Sequence, residues 1–316
     1  MFFVILYIVV SSVFTQCLGT SLDQKIVNHS GIVETSKAHV WYKIFYTEQS
    51  KEKVPIICLH GGPGCSHHHM LILQNMAVNN PVIFYDQSGC GNSKMKDNSF
   101  TDWDFDYYVQ ELAMLIDTLG YEKCYLLGTS WGSTLALRYT IEYQENIQGL
   151  FLTSPMFKAD DWVNDCKGLA KSISIDFYEN MLKHESERTF DTVEYREIED
   201  VFYNHFFCRM STMPQDLIDS LNVFNFDIYQ AMWGPSEMIS TGNLQHTNLV
   251  PMLQQLTVPT LLMCGKYDMA TPERMAEYIE LIKDGQLYVF EKSAHVPFLE
   301  ESKLYQDVVS NFIKTH

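Results

Sequence analysis

Apolar runs rich in β-branched and aromatic residues recur at 40–46, 54–59, 81–85, 123–127, 147–153, 258–264 and 286–290, with helical patterns between them. This alternation constrains the fold more than any other feature of the 316 residues. The clearest helix is 103–119, where Tyr108, Leu112, Leu115, Ile116 and Leu119 share one face. Further helices are expected at 131–143, at 272–283 after Thr271-Pro272, and at 301–313. Strands alternating with helices imply a mostly parallel sheet covered on both faces. Between 156 and 248 the alternation stops, and that stretch holds 16 Asp or Glu against 7 Lys or Arg. It reads as a helical cap inserted before the late strands, over the carboxyl ends of the sheet, where open α/β folds bind ligands. The expected division is a core of 20–155 and 249–316, and a cap of 156–248.

A 46% hydrophobic content supplies a large core, and the net charge of -17 argues against nucleic acid as a partner. Residues 2–14 are mostly large and apolar, and no charged side chain precedes Asp23. With Cys17 and Gly19 two apart, this reads as a signal peptide of residues 1–19, too short for a membrane span. The expectation is a secreted protein, or one in the lumen of an endomembrane compartment such as the lysosome, with no stable membrane insertion after cleavage. Asn28 in "NHS" then becomes a glycosylation sequon. Of the eight cysteines, Cys58, Cys124 and Cys264 sit in apolar runs, while Cys65, Cys90, Cys166 and Cys208 sit in polar settings where pairing is open. "HHH" at 67–69 has no neighbouring Cys or carboxylate cluster, so no metal is expected.

The stretch "CYLLGTSWGSTLALRYTIEY" places Gly-x-Ser-x-Gly between a buried strand and a helix. That is the setting of a nucleophile elbow, which lifts Ser130 out on a strained turn. A serine at its ordinary pKa needs a base, and the base needs an orienting group. Asp268 follows the run "TLLMCGKYD" and His295 follows "QLYVFEKSAH", so both sit just past late strands, in the chain order such hydrolases use. Asp227 and Asp284 do not follow strands. An oxyanion hole needs two backbone N–H groups. Trp131, next after the nucleophile, offers one, and the glycines Gly61 and Gly62 of "LHGGPG" offer the other.

The segments "HGGPG", "YDQSGCGNS", "GTSWGSTLAL", "GKYDMATPE" and "SAHVPFLEE" resemble those of the proline iminopeptidases, serine aminopeptidases and amino-acid amidases of the α/β-hydrolase fold. The resemblance spans about residues 25–315. It implies an α/β-hydrolase core with a helical cap, no cofactor, and removal of an N-terminal amino acid, proline or another small or apolar residue. The substrate would be a small peptide or aminoacyl amide with a free N-terminus. By motif, the resemblance implies Ser130 as nucleophile, His295 as base and Asp268 as its orienter. Gly62 and Trp131 would form the oxyanion hole, with Gly61 nearby. The family holds the substrate amine with cap carboxylates; "MWGPSE" points to Glu237, and Glu199 in "EIEDVFYNHFFCR" is the candidate for a second. Two departures stand out. Ser88 replaces an arginine common after "YDQ", removing a fixed charge near the site, and Thr129 replaces a glycine. The rival expectation is a carboxylesterase or lipase on the same scaffold, with aromatic cap segments lining an acyl pocket.

Overall fold

The computed structural model describes residues 25–97 and 99–316. Its sheet runs in the order β1-β2-β4-β3-β6-β7-β8-β9, from β1 (Val27–Glu34), β2 (Ala38–Tyr46), β3 (Ile56–Leu59) and β4 (Val82–Tyr85) to β6 (Cys124–Thr129), β7 (Ile147–Thr153), β8 (Thr260–Gly265) and β9 (Gly285–Phe290). The short β5 (Lys94–Met95) pairs with β2. β1 and β2 are antiparallel to their neighbours, and every pairing from β4 to β9 is parallel. The central strands are buried along their whole length, as a sheet covered on both faces requires. Alternate residues feed two cores: Ile57, Leu59, Leu126 and Leu262 face one, while Ile56, Cys58, Leu127 and Met263 face the other.

The predicted helices form close to their expected bounds. α1 (Phe105–Leu119) starts where the Asp104 carboxylate accepts from the Tyr107 N–H, and it ends at Gly120, whose φ is 73°. α2 (Trp131–Glu142) follows β6 directly. Between β7 and β8 lie α3 (Ala159–Ile173), α4 (Ile175–Glu187), α5 (Val193–Phe206), α6 (Gln215–Asn222) and α7 (Phe226–Met232). After these come α8 (Val250–Leu253), α9 (Pro272–Ile279), α10 (Pro297–Glu300) and α11 (Ser302–Thr315). The helical insertion leaves and re-enters the core side by side: Ala159 N–H donates to Thr247 O at 3.0 Å, and Leu249 N–H to Phe157 O at 2.7 Å. Arg274 on α9 grips Asp165 on α3 with Nε and Nη2, at 2.9 and 3.0 Å.

Two features differ from expectation. β1 is an additional edge strand, and it carries Asn28 on an exposed position. The cysteines are unpaired at all seven described positions, and Cys90 and Cys166 are buried in the main core rather than in polar surroundings. The expected signal peptide falls outside the described residues. Within the described ones, no helix is long and apolar enough to cross a membrane.

Candidate active site

The strand order reverses at β3: the chain steps from β3 to β4 on one side and returns to β6 on the other. Loops leaving the carboxyl ends of β3 and β6 therefore diverge and open a crevice, the place where open α/β sheets bind ligands. Ser130 stands there, at φ 53° and ψ -123°, between the last residue of β6 and the first of α2. That conformation is costly for a residue with a side chain and needs support. Ser130 N–H donates to Thr153 O at 2.8 Å, and Ser133 N–H returns to Ser130 O at 2.9 Å. A Cβ on Gly132 would lie 2.1 Å from Leu59 O, so only glycine lets α2 start this close to β3.

Asp268 and His295, on the loops after β8 and β9, are brought together. His295 Nδ1–H donates to Asp268 Oδ1 at 2.7 Å, which leaves Nε2 as the acceptor. Both side chains are buried. Asp268 also accepts from Ala270 N–H at 2.9 Å, from Ser154 Oγ–H at 2.5 Å and from Gly265 N–H at 3.3 Å. Burial opposes charging His295. The Asp268 charge and hydrogen bond, with Glu237 and Glu300 farther off, outweigh that and hold its pKa above the ordinary value. The ring meets Trp162 edge-on at 5.7 Å and Phe207 at 5.6 Å, and the backbone N–H of His295 donates to Phe207 O at 3.0 Å. Among the described residues, no hydrogen bond joins Ser130 Oγ to His295. Such bonds are often long in ligand-free hydrolases and tighten with substrate.

Gly61 packs against the serine, since a Cβ there would sit 3.2 Å from Ser130 Cβ. Gly62, at φ 109°, and Trp131 line a cavity of about 20 Å³ beside Ser130, together with Trp162, Trp233 and Glu237. That volume holds roughly one water molecule. Glu237 accepts from Tyr229 O–H at 2.8 Å, its one hydrogen bond of good geometry. Burial raises its pKa, although His295 and the neighbouring hydroxyl pull the other way. Glu199, half-buried on α5, is pushed up to about 7 by burial first and then by the charges of Glu237 and Asp200. Glu199 thus lies within the field of Glu237.

One expectation is adjusted. Ser88 is fully buried, with its N–H and hydroxyl on the Glu111 carboxylate, so it stands in the core behind the site rather than beside the substrate. Burial pushes that Glu111 up to about 7. The histidine run serves packing: His67 bonds Asp86 at 2.8 Å and lies tilted against Trp41 at 4.4 Å, and His69 bonds Ser220 at 3.1 Å. No group of three or more metal-ligating side chains exists among the described residues. Sequence reasoning missed Ser154, whose φ of 53° aims its hydroxyl at Asp268; a serine before Pro155 at a strand end is too weak a signal to single out. It also gave no role to His60 or Gln87, although both lie in quoted motifs.

The family model described as the alpha/beta hydrolase fold matches residues 54–302. A proline iminopeptidase from Heyndrickxia coagulans is 35% identical over 90% of this chain and 98% of its own length. One from Saccharolobus solfataricus is 32% identical over 87% of this chain and 89% of its own. Among solved structures, the proline iminopeptidase of Mycobacterium smegmatis superposes with a TM-score of 0.83 at 27% identity, covering 91% of this chain and 98% of that one. VinJ superposes at 0.85 with 29% identity, covering the same shares. With an elbow serine, a paired Asp268 and His295, and this breadth of similarity, the chain belongs to the proline iminopeptidase family of α/β-hydrolases.

Proposed function

We propose that the protein is a serine aminopeptidase that releases an N-terminal residue, proline or another small or apolar one, from short peptides and aminoacyl amides. Ser130 Oγ attacks the carbonyl of that residue, and His295 Nε2 takes its proton. Asp268 holds the imidazole in the required tautomer and stabilises it when charged. The N–H groups of Gly62 and Trp131, with Gly61 beside them, receive the oxyanion. His295 then protonates the leaving amine, and water releases the acyl group from Ser130. No cofactor takes part in these steps.

The observation that carries the proposal is Glu237 in the same cavity as Ser130, with Glu199 in its field. A free α-amine, with a pKa of about 7.7 to 8.0, is mostly cationic near neutrality and supplies the missing countercharge. An acyl pocket for simple esters would have no use for a buried carboxylate. The test is an assay of prolyl and alanyl amides of a chromophore, free and N-acetylated, with Ser130→Ala as control. Turnover of the free forms alone is expected. Equal rates on free and acetylated forms would overturn amine capture, and turnover of short esters without amides would establish the esterase reading.

We also infer that the protein enters the secretory route through residues 1–19 and carries a glycan on Asn28. The apolar run at 2–14 and the exposure of Asn28 on β1 support this. A mobility shift on glycosidase treatment, absent in Asn28→Gln, is the expected result in a secreting cell. Burial of six of the seven described thiols keeps them unreactive there; Cys124 is pushed up to about 12.

A further inference from the structure

Oxyanion stabilisation depends on two N–H groups from separate elements standing at a fixed spacing. Here they come from the loop after β3 and from the first residue of α2, which are far apart in sequence. One side chain touches both. Gln87 Nε2 donates to His60 O at 2.9 Å, and Gln87 Oε1 accepts from the Trp131 indole Nε1–H at 2.8 Å. Its backbone N–H also donates to His60 Nε2 at 3.0 Å. Because that donor is a peptide N–H, His60 Nε2 must carry the lone pair. The ring proton then sits on Nδ1, 3.0 Å from Gly61 O. In a trans peptide the C=O and N–H point in opposite directions. Fixing Gly61 O toward the buried imidazole therefore turns the Gly62 N–H away from it, on the side where Gly62 lines the cavity. Gln87 and His60 are both fully buried, so water does not compete for these bonds.

We propose that Gln87 is a positioning residue that sets the spacing of the two oxyanion donors, with His60 as the second part of the clamp. The inference rests on the serine-hydrolase reading above. It does not rest on amine capture, since any acyl substrate of Ser130 would use the same two donors.

The test compares the wild type, Gln87→Met and Trp131→Phe. The first substitution removes both side-chain bonds at nearly constant volume. The second keeps the Trp131 backbone N–H and removes the indole donor together with part of a buried ring. Each folded variant is assayed on a prolyl amide and on p-nitrophenyl acetate, and titrated with a prolyl boronic acid and with free proline. The expected result is a fall in kcat of about 10- to 100-fold on both substrates with KM nearly unchanged, matched by weaker boronate binding. Free proline should bind as before, and the double variant should be little worse than Gln87→Met. Normal kcat and boronate affinity in folded Gln87→Met, or in Trp131→Phe should Gln87→Met fail to fold, would overturn the inference. A wild type that hydrolyses the ester but not the amide would overturn the peptidase reading and leave this test standing. One that hydrolyses neither overturns both.

Discussion

Carboxylates stand in two settings around the Ser130 site, Asp268 behind His295 and Glu237 in the cavity lining, and they are built differently. Asp268 is saturated: His295, Ala270, Ser154 and Gly265 all donate to it. Glu237 has the Tyr229 hydroxyl, and Glu199 is raised by burial first and then by the charges of Glu237 and Asp200. Buried charges survive when hydrogen-bonded and are pushed toward neutrality when they are not. Asp268 is thus complete without a ligand and can hold His295 rigidly. Glu237 and Glu199 are incomplete, and a bound ammonium would complete them. Under the proposed function, one acid serves geometry and the other serves recognition.

Asp268→Asn breaks the first side with the largest effect. The amide no longer enforces the His295 tautomer, and kcat should fall on the order of 10,000-fold on every substrate, with the fold intact by circular dichroism. Glu237→Gln attacks the second side. It should cost about 2 to 5 kcal/mol in kcat/KM for free-amine substrates, and little for p-nitrophenyl acetate. A uniform loss on both would erase the proposed contrast. Ser154→Ala removes one donor of several from Asp268. Chemical denaturation should show about 1.5 to 3 kcal/mol less stability, the usual range for a bond to a charged group, with the substrate preference unchanged. Glu199→Gln should have the smallest effect, seen as a shift in pH dependence. Removing a negative neighbour makes Glu237 easier to ionise, so the acidic limb of kcat/KM set by Glu237 moves to lower pH, by roughly one unit or less. The His295 contribution, which comes in as the ring loses its proton above the ordinary histidine range, should stay where it was. A sharpening measurement is the melting temperature of the wild type against pH. Glu199 is raised in the folded state to about 7 from 4.5, so it contributes stability below its unfolded pKa. That contribution is lost as pH rises through the window, and a bound amine should diminish the loss.

How much of this was legible in the sequence follows from how each feature is encoded. Strands β3, β4, β6, β7 and β8 are continuous apolar runs because both their faces are buried, while the half-buried β2 and β9 still carry enough apolar residues to show in the sequence. β1 pairs with β2 alone and reads "VNHSGIVE", with too few apolar residues to register as a strand. Ser130, Asp268 and His295 were readable because each follows a strand and their order along the chain is restrictive. Glu237 and Glu199 needed the family resemblance, since one carboxylate among the 16 acidic residues of the insertion has no local signature. Ser154, His60 and Gln87 act through contacts between different strand ends. Only the folded sheet places those ends side by side.

The paired exit and return of the insertion, at Lys158 and Asn248, has a consequence for how this architecture can diversify. The two chain segments already meet like the jambs of a doorway. Residues between them can lengthen, shorten or be exchanged while β7 and β8 keep their register and Ser154 keeps its hold on Asp268. New substrate preferences can therefore be written into the roof while the machinery below is inherited unaltered.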